Sequence, residues 1–139
     1  MEERGITLIE VLCVLLIVSI IGTISFAVGA ETLDNYRLEK AAKLLVSDLR
    51  EAREEAITEN VWQEIRFFPY ANMYRIVRAG VRVIDVQLET GIQLNAPQKV
   101  TFYPSGSPAE GVTLTLSNKR GKQLQIVVAA VTGRVRLAP

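Results

Sequence analysis

Two arginines near the C-terminal end of the sequence are spaced so that they could bind an anion together. Arg134 and Arg136 are two residues apart, and residues at that spacing in a strand point to the same face. Three further cations, Lys119, Arg120 and Lys122, lie at an expected hairpin turn. Guanidinium and ammonium groups contact the phosphates of double-stranded DNA without reading its sequence. The alternative is that all five are solvated surface charges, and the residues alone leave both interpretations open.

A single carboxylate, Glu10, precedes a long uncharged segment. The twenty residues 11–30 carry no charge, and a helix of that length rises about 30 Å, the thickness of the hydrocarbon core of a bilayer. Its polar residues Ser19, Thr23 and Ser25 can return their hydroxyls to helix carbonyls. Glu10 could reach water at the membrane interface, where a helix N-terminus favours it. It could instead pair with a cation among packed helices, because buried charges persist only when paired.

Enzymatic chemistry is poorly supported by the composition. The sequence has no histidine, which removes histidine-based catalysis and imidazole metal ligands. Its single cysteine, Cys13, lies inside the uncharged segment, so no intrachain disulfide can form. The sequence also lacks a glycine-rich phosphate loop. We therefore predict that the chain is not an enzyme and needs no cofactor or metal.

The next segment has the pattern of an amphipathic helix that continues the first. No proline or glycine occurs from Glu31 to Asn60, and Asn60 suits the C-terminal cap. Steps of three and four define one apolar face, formed by Leu38, Ala41, Leu45, Leu49, Ala52 and Ala56 and widened by Leu44, Val46 and Ile57. The charges on the other face are expected to be solvated: Glu39, Lys43, Asp48, Arg50, Arg53, Glu54 and Glu55.

The rest of the chain has the pattern of a β-rich head. Short runs with a period of two, rich in β-branched and aromatic residues, alternate with turn residues. We predict strands at about Val61–Phe68, Met73–Arg78, Arg82–Leu88, Gly91–Asn95, Lys99–Tyr103, Val112–Ser117, Gln123–Ala130 and Gly133–Leu137. The fold class is α+β, with one long N-terminal helix, transmembrane first and amphipathic later, packed on an antiparallel β-sheet head.

The N-terminal residues Gly5-Ile6-Thr7-Leu8-Ile9-Glu10, followed by an aliphatic helix, resemble the class III signal of type IV pilins and type II secretion pseudopilins. The resemblance implies cleavage between Gly5 and Ile6 by prepilin peptidase and N-methylation of Ile6. It also implies that Glu10 acts in filament assembly by pairing with the new N-terminal ammonium. Ile6 stands where the family most often has Phe or Met.

Four later segments resemble FimT/GspH-type minor pilins. They are residues 41–57, the pair Ile65-Arg66-Phe67 and Tyr74-Arg75-Ile76, residues 101–106, and Gly133-Arg134-Val135-Arg136-Leu137. The resemblance implies a leader at 1–5, a transmembrane helix at 6–30, its amphipathic continuation at 31–60 and a globular head at 61–139. The Gly-Arg-x-Arg ending is similar to the DNA-binding feature of FimT-like pilins, which carries over to Arg134 and Arg136 only.

The resemblance implies a minor pilin that joins or primes a type IV pilus, with DNA binding for natural transformation as an open hypothesis. The alternative is a minor pseudopilin in the tip complex of a type II secretion system. Implied partners are other pilins or pseudopilins, prepilin peptidase, the inner-membrane assembly platform and membrane lipid. The implied location is the inner membrane, crossed once with the head exported, and then a filament near its tip.

Overall fold

The computed structural model describes residues 7–78 and 81–138, with the side chains of residues 23–29 and 82 outside that description. Within these residues one α-helix, α1 (Leu8–Thr58), precedes eight strands. The strands are β1 (Gln63–Phe68), β2 (Met73–Arg78), β3 (Arg82–Gln87), β4 (Ile92–Asn95), β5 (Lys99–Phe102), β6 (Val112–Asn118), β7 (Gln123–Val128) and β8 (Val135–Ala138). Every predicted strand is present, with ends displaced by at most two residues.

The chain divides into two compact units, Met1–Leu33 and Asp34–Pro139. In the first unit the helix begins after Thr7, whose Oγ1 accepts a hydrogen bond from the Glu10 N–H at 3.4 Å. The Ser19 hydroxyl donates to the Leu15 carbonyl at 2.7 Å, as predicted for a polar residue in an apolar helix. Within the described part of the chain, no helix is long and apolar enough to cross a membrane. The transmembrane segment 6–30 stays a prediction.

The strands of the second unit form two four-stranded sheets. The first has the order β3-β2-β1-β5, and the second has the order β4-β6-β7-β8. All the strand pairs are antiparallel. The predicted fold class is therefore confirmed, with the strands divided between two sheets.

The core of the second unit lies between the apolar face of α1 and the two sheets. All six residues predicted for the centre of that face are buried, and the sheets add Ile65, Tyr74, Phe102, Leu114, Leu116 and Ile126. Burying one large apolar side chain contributes about 1.5–3 kcal/mol. The face is narrower than predicted, since Leu44 and Ile57 are exposed. Asn60 has a φ of 55°, which fits its predicted place at the helix end.

Part of the charged face of α1 is not solvated, contrary to the prediction. The Tyr74 hydroxyl donates to Asp48 Oδ2 at 2.5 Å, and Arg78 bridges to Glu55 at 2.8 Å. Burial raises the pKa of Asp48, and the Tyr74 hydrogen bond opposes that shift. The prediction failed because two sheets contact the helix, so that residues on its flanks are also covered.

Candidate functional site: an arginine groove beside the last strand

Two glycine turns meet at the C-terminal end of α1. Gly133 has a φ of 64°, and a Cβ placed on it would lie 2.1 Å from the Gly106 carbonyl oxygen. Gly106 has a φ of 77°, and a Cβ there would lie 2.7 Å from the Ile57 side chain. Only glycine fits either position without a shift of the backbone or of its neighbours. Gly133 of the Gly-Arg-x-Arg ending therefore has a structural reason to be there.

Two arginines of α1 donate hydrogen bonds to the backbone of these turns and of the strand that follows. Arg53 Nε donates to the carbonyls of Gly106 at 3.0 Å and Thr132 at 3.1 Å. Arg50 donates to the Val135 carbonyl through Nε at 3.3 Å and Nη2 at 3.0 Å. Backbone carbonyls carry no net charge, so both guanidinium groups are held in place without being neutralised.

Arg50 and Arg53 were not predicted as site residues from the sequence. Both were placed on the solvated face because a helical period assigns residues to faces but does not show which loops return to them. The segments that resemble minor pilins contained the necessary pieces: the helix, the turn at 101–106 and the ending at 133–137. Their convergence on Arg53 is a tertiary feature.

A groove runs between α1 and β8, formed by two adjoining cavities of about 530 and 510 Å³. The helix contributes Lys43, Val46, Ser47, Arg50, Glu51, Arg53 and Glu54. The strand side contributes Thr132, Arg134, Val135 and Leu137. We call this feature the arginine groove, after Arg50, Arg53 and Arg134. Four cations and two carboxylates line the groove, so its net charge suits an anion, and Val46 gives it an apolar floor.

Arg134 and Arg136, the two arginines singled out in the sequence, are both exposed. Arg134 immediately precedes β8 and lines the groove, whereas Arg136 lies within the strand and outside both cavities. Neither has a carboxylate within 4.0 Å among the described residues. Leu137, which alternates with the two arginines along the strand, is 38% exposed.

The other three candidate cations lie at the opposite end of the same sheet. Arg120 Nε bonds to Asp34 at 2.9 Å, and Lys119 Nζ approaches the same carboxylate at 3.4 Å. The hydrogen bond from Arg120, reinforced by Lys119, holds the pKa of Asp34 below its usual value. Lys122 is exposed and comes just before β7.

The length of β7 separates the two groups of cations. The Ala129 N–H, just beyond the end of β7, donates to the Arg134 carbonyl at 3.0 Å. Six residues of strand extend about 20 Å. The five predicted cations therefore form two separate groups and not one patch.

The predicted cleavage and methylation site, Gly5 and Ile6, lies outside the described residues. Glu10 is exposed in the first turn of α1. Thr7 and Glu10 have the spacing of a capping box, in which the residue at the N-cap accepts the N–H of the residue three positions later. The threonine of the signal thus has a local role in starting the helix.

An N-terminal helix packed on antiparallel sheets is the fold of the pilin-like filament subunits, and solved structures of this class resemble the chain. Minor pilin FimU of Pseudomonas aeruginosa has a TM-score of 0.62 at 20% identity, over 76% of this chain and 90% of that one. Minor pseudopilin EpsH of the Vibrio cholerae type 2 secretion system has a TM-score of 0.61 at 19% identity, over 73% and 96%.

The model of the family "type II transport protein GspH" matches residues 41–133, which is most of the chain. The chain belongs to this family. A prokaryotic N-terminal methylation motif matches residues 1–26. Type II secretion system protein H of Xanthomonas campestris is 26% identical over 99% of this chain and 85% of its own length.

These findings identify the chain as a minor pilin or pseudopilin of a type IV pilus or a type II secretion system. The family is a structural component and not an enzyme, in agreement with the sequence analysis.

Proposed function

We propose that the chain is made as a precursor, cut by prepilin peptidase between Gly5 and Ile6, and methylated at Ile6. The mature chain is held in the inner membrane by residues 6–30 with its head exported, and is then drawn into a filament near its tip. The observation that carries this proposal is the pair of matches in one chain, a methylation motif over residues 1–26 and a GspH head over residues 41–133.

Glu10 pairs with the free N-terminal ammonium of Ile6 on the same or a neighbouring subunit. A carboxylate among packed apolar helices requires such a partner, because an unpaired charge there costs several kcal/mol. The described aliphatic side chains around it, from Leu8 to Ile21, are exposed and available for packing against other helices.

The mass of the membrane-bound chain tests the processing step. We expect a mass without Met1 to Gly5 and with one added methyl group, and an uncleaved precursor for Gly5→Ala. Glu10→Ala should be processed normally and should be depleted from isolated filaments. A wild-type mass that still includes the first five residues would contradict the proposal, and normal incorporation of Glu10→Ala would contradict the role of the carboxylate.

Two assemblies are candidates for this subunit. Similarity to FimU favours a type IV pilus, whereas similarity to EpsH and to protein H of Xanthomonas favours a type II secretion system. Deleting the gene distinguishes them. Loss of surface pili with normal protein secretion would assign the chain to a pilus, and retention of secreted enzymes behind the outer membrane would assign it to secretion.

Contact with double-stranded DNA is a second proposal, and its support now comes from Arg134 and Arg136. Both are exposed and lack a carboxylate partner among the described residues, whereas Lys119 and Arg120 share Asp34. Phosphate contacts would make binding weaker at higher salt. In this proposal the two arginines contribute about equally, so Arg134→Gln and Arg136→Gln should each weaken binding of a DNA duplex.

A further inference from the structure

We propose that the arginine groove is a docking site for an extended acidic segment of another pilin-like subunit. The inference rests on the proposed function, because it takes the partner to be a member of the same filament. It goes further by naming the surface, the chemistry of the segment and the residues that receive it.

The cations without a carboxylate partner are concentrated at this groove. Among the described basic side chains, those with no carboxylate within 4.0 Å are Arg50, Arg53, Lys122, Arg134 and Arg136. Three of these five line the groove. Elsewhere in the described head, the cations other than Lys122 and Arg136 are paired within the chain. The groove therefore holds the charge that a partner could neutralise.

The guanidinium groups are already fixed in position. Arg53 is half-buried and uses Nε for the two turn carbonyls, which leaves its terminal nitrogens to donate elsewhere. Arg50 is anchored on the Val135 carbonyl. Arginines that are held before binding lose less side-chain entropy when a carboxylate arrives.

The edge of the last strand also faces the groove. Arg134 accepts from Ala129 across the β7–β8 pair, and hydrogen bonds alternate along an antiparallel pair. The backbone groups of Val135 and Leu137 therefore point away from β7, consistent with the bond from Arg50 to the Val135 carbonyl. Leu137 thus presents an N–H and a carbonyl to an incoming backbone, as an edge strand does.

These features together favour a polypeptide over a nucleic acid. The groove combines cations with the buried Val46, the partly exposed Leu137 side chain and a free strand edge. An extended segment with alternating acidic and aliphatic residues satisfies all three, because successive side chains point to opposite sides of a strand. A DNA backbone offers phosphates but no partner for the apolar floor or the strand edge.

The charges of the groove determine the sign of the charge that the partner segment must carry. Glu54 is the lining carboxylate without a cation within 4.0 Å, since Glu51 bonds to Arg78 at 2.7 Å. Lys43 is shared with Glu39 at 3.6 Å. The cations that line the groove outnumber its two carboxylates, Glu51 and Glu54, so an acidic segment is attracted where a basic one is repelled.

The test is photo-crosslinking of the full-length chain in cells that assemble the filament. A benzophenone amino acid replaces Ser47, which lines the groove, and in a control replaces Gln93, which is exposed on β4 at the other edge of the same sheet. We expect the Ser47 position to give an adduct that maps to an acidic extended segment of another pilin-like protein. The Gln93 position should not give this adduct.

Two matched variants follow. Arg134→Gln removes a groove charge whose side chain makes no hydrogen bond among the described residues, and it should reduce the adduct about tenfold, the scale of one charge-assisted hydrogen bond. Arg136 lies outside the groove, so Arg136→Gln should leave the yield of the adduct unchanged. Replacing acidic residues of the mapped segment by lysine should abolish the adduct, and Arg134→Glu should partly restore it.

Several outcomes would overturn the docking site. They are the absence of a protein adduct at Ser47, an adduct that maps outside any acidic segment, and equal losses for Arg134→Gln and Arg136→Gln. Equal losses accompanied by salt-sensitive DNA binding would assign the surface to nucleic acid. Failure of the proposed function is seen separately, as an unprocessed mass or absence from filaments, whereas failure of docking leaves processing intact.

Discussion

The two ends of the sheet formed by β4, β6, β7 and β8 carry arginines in opposite settings. At one end Arg120 faces the carboxylate of Asp34 at 2.9 Å. At the other end Arg53 faces the carbonyls of Gly106 and Thr132. Both side chains connect a strand or turn to the helix, but only the first is neutralised. Arg120 at the first end is neutralised by a carboxylate of the same chain, whereas Arg53 at the second end has no such carboxylate among the described residues.

The glycines at the two ends give the largest expected contrast in stability. Gly133→Ala adds a Cβ 2.1 Å from a carbonyl oxygen at a φ of 64°, so we expect a loss of about 3 kcal/mol or more. Gly121→Ala, at a φ of 85° with nothing within 4 Å, should cost about 1–2 kcal/mol. Chemical denaturation followed by circular dichroism measures both. Equal losses would mean that the contact between the two turns does not constrain the fold.

Substitutions of Arg53 test whether its hydrogen bonds to uncharged carbonyls stabilise the fold. Arg53→Gln removes the guanidinium that joins two carbonyls to the helix, and we expect unfolding to become easier by about 2 kcal/mol. Arg53→Lys keeps the charge but replaces the fork by a single ammonium, so it should recover only part of the loss. Arg136→Gln, which removes an exposed arginine with no carboxylate partner, is the control and should stay within about 0.5 kcal/mol of the wild type. If Lys and Gln at position 53 are equally harmless, the anchor is unimportant.

The sequence predicted the helix and the strands well. It predicted poorly which residues contact each other in the folded chain. Apolar steps of three and four identified the buried residues from Leu38 to Ala56, because one helical face dominates the core. Strand positions followed from period-two runs bounded by turn residues. Arg53 was misplaced because its partners, Gly106 and Thr132, lie 53 and 79 residues further along the chain.

The candidate site was predictable only in part. The Gly-Arg-x-Arg ending predicted Arg134, which lines the groove, whereas the role of Glu10 stays a prediction. The sequence analysis considered Lys119 and Arg120 together with Arg134 as candidate phosphate contacts, because residue type does not show which cation has a carboxylate beside it. Asp34, at the far end of the amphipathic helix, belongs to a different segment of the sequence.

Asp34→Asn should change how the free energy of unfolding depends on pH, because it removes the carboxylate that pairs with Arg120 and Lys119. Arg120 and Lys119 lower the pKa of Asp34 in the folded state, so its contribution is fully present above the unfolded value of about 3.9 and is lost as pH falls through the lower folded value. We expect the wild type and Asp34→Asn to differ at pH 6 and to converge in strong acid. Denaturation curves across that range measure the difference. A constant difference at every pH would show that the carboxylate does not stabilise through its charge.

Among the substitutions expected to change stability, Arg134→Gln should have the smallest effect. The sign of that effect should be opposite to that of Asp34→Asn at the other end of the sheet. Its side chain has no carboxylate within 4.0 Å among the described residues and lies beside Arg50 and Arg53 in one groove, so mutual repulsion opposes folding. Removing one charge should raise stability by at most about 0.5 kcal/mol at low salt, and the gain should fade as salt screens the repulsion. Breaking the Asp34 pair has the opposite sign, because that cluster attracts. A loss of stability for Arg134→Gln would mean that the groove contains an internal partner for this arginine, and the charge would then belong to the fold and not to a docking subunit.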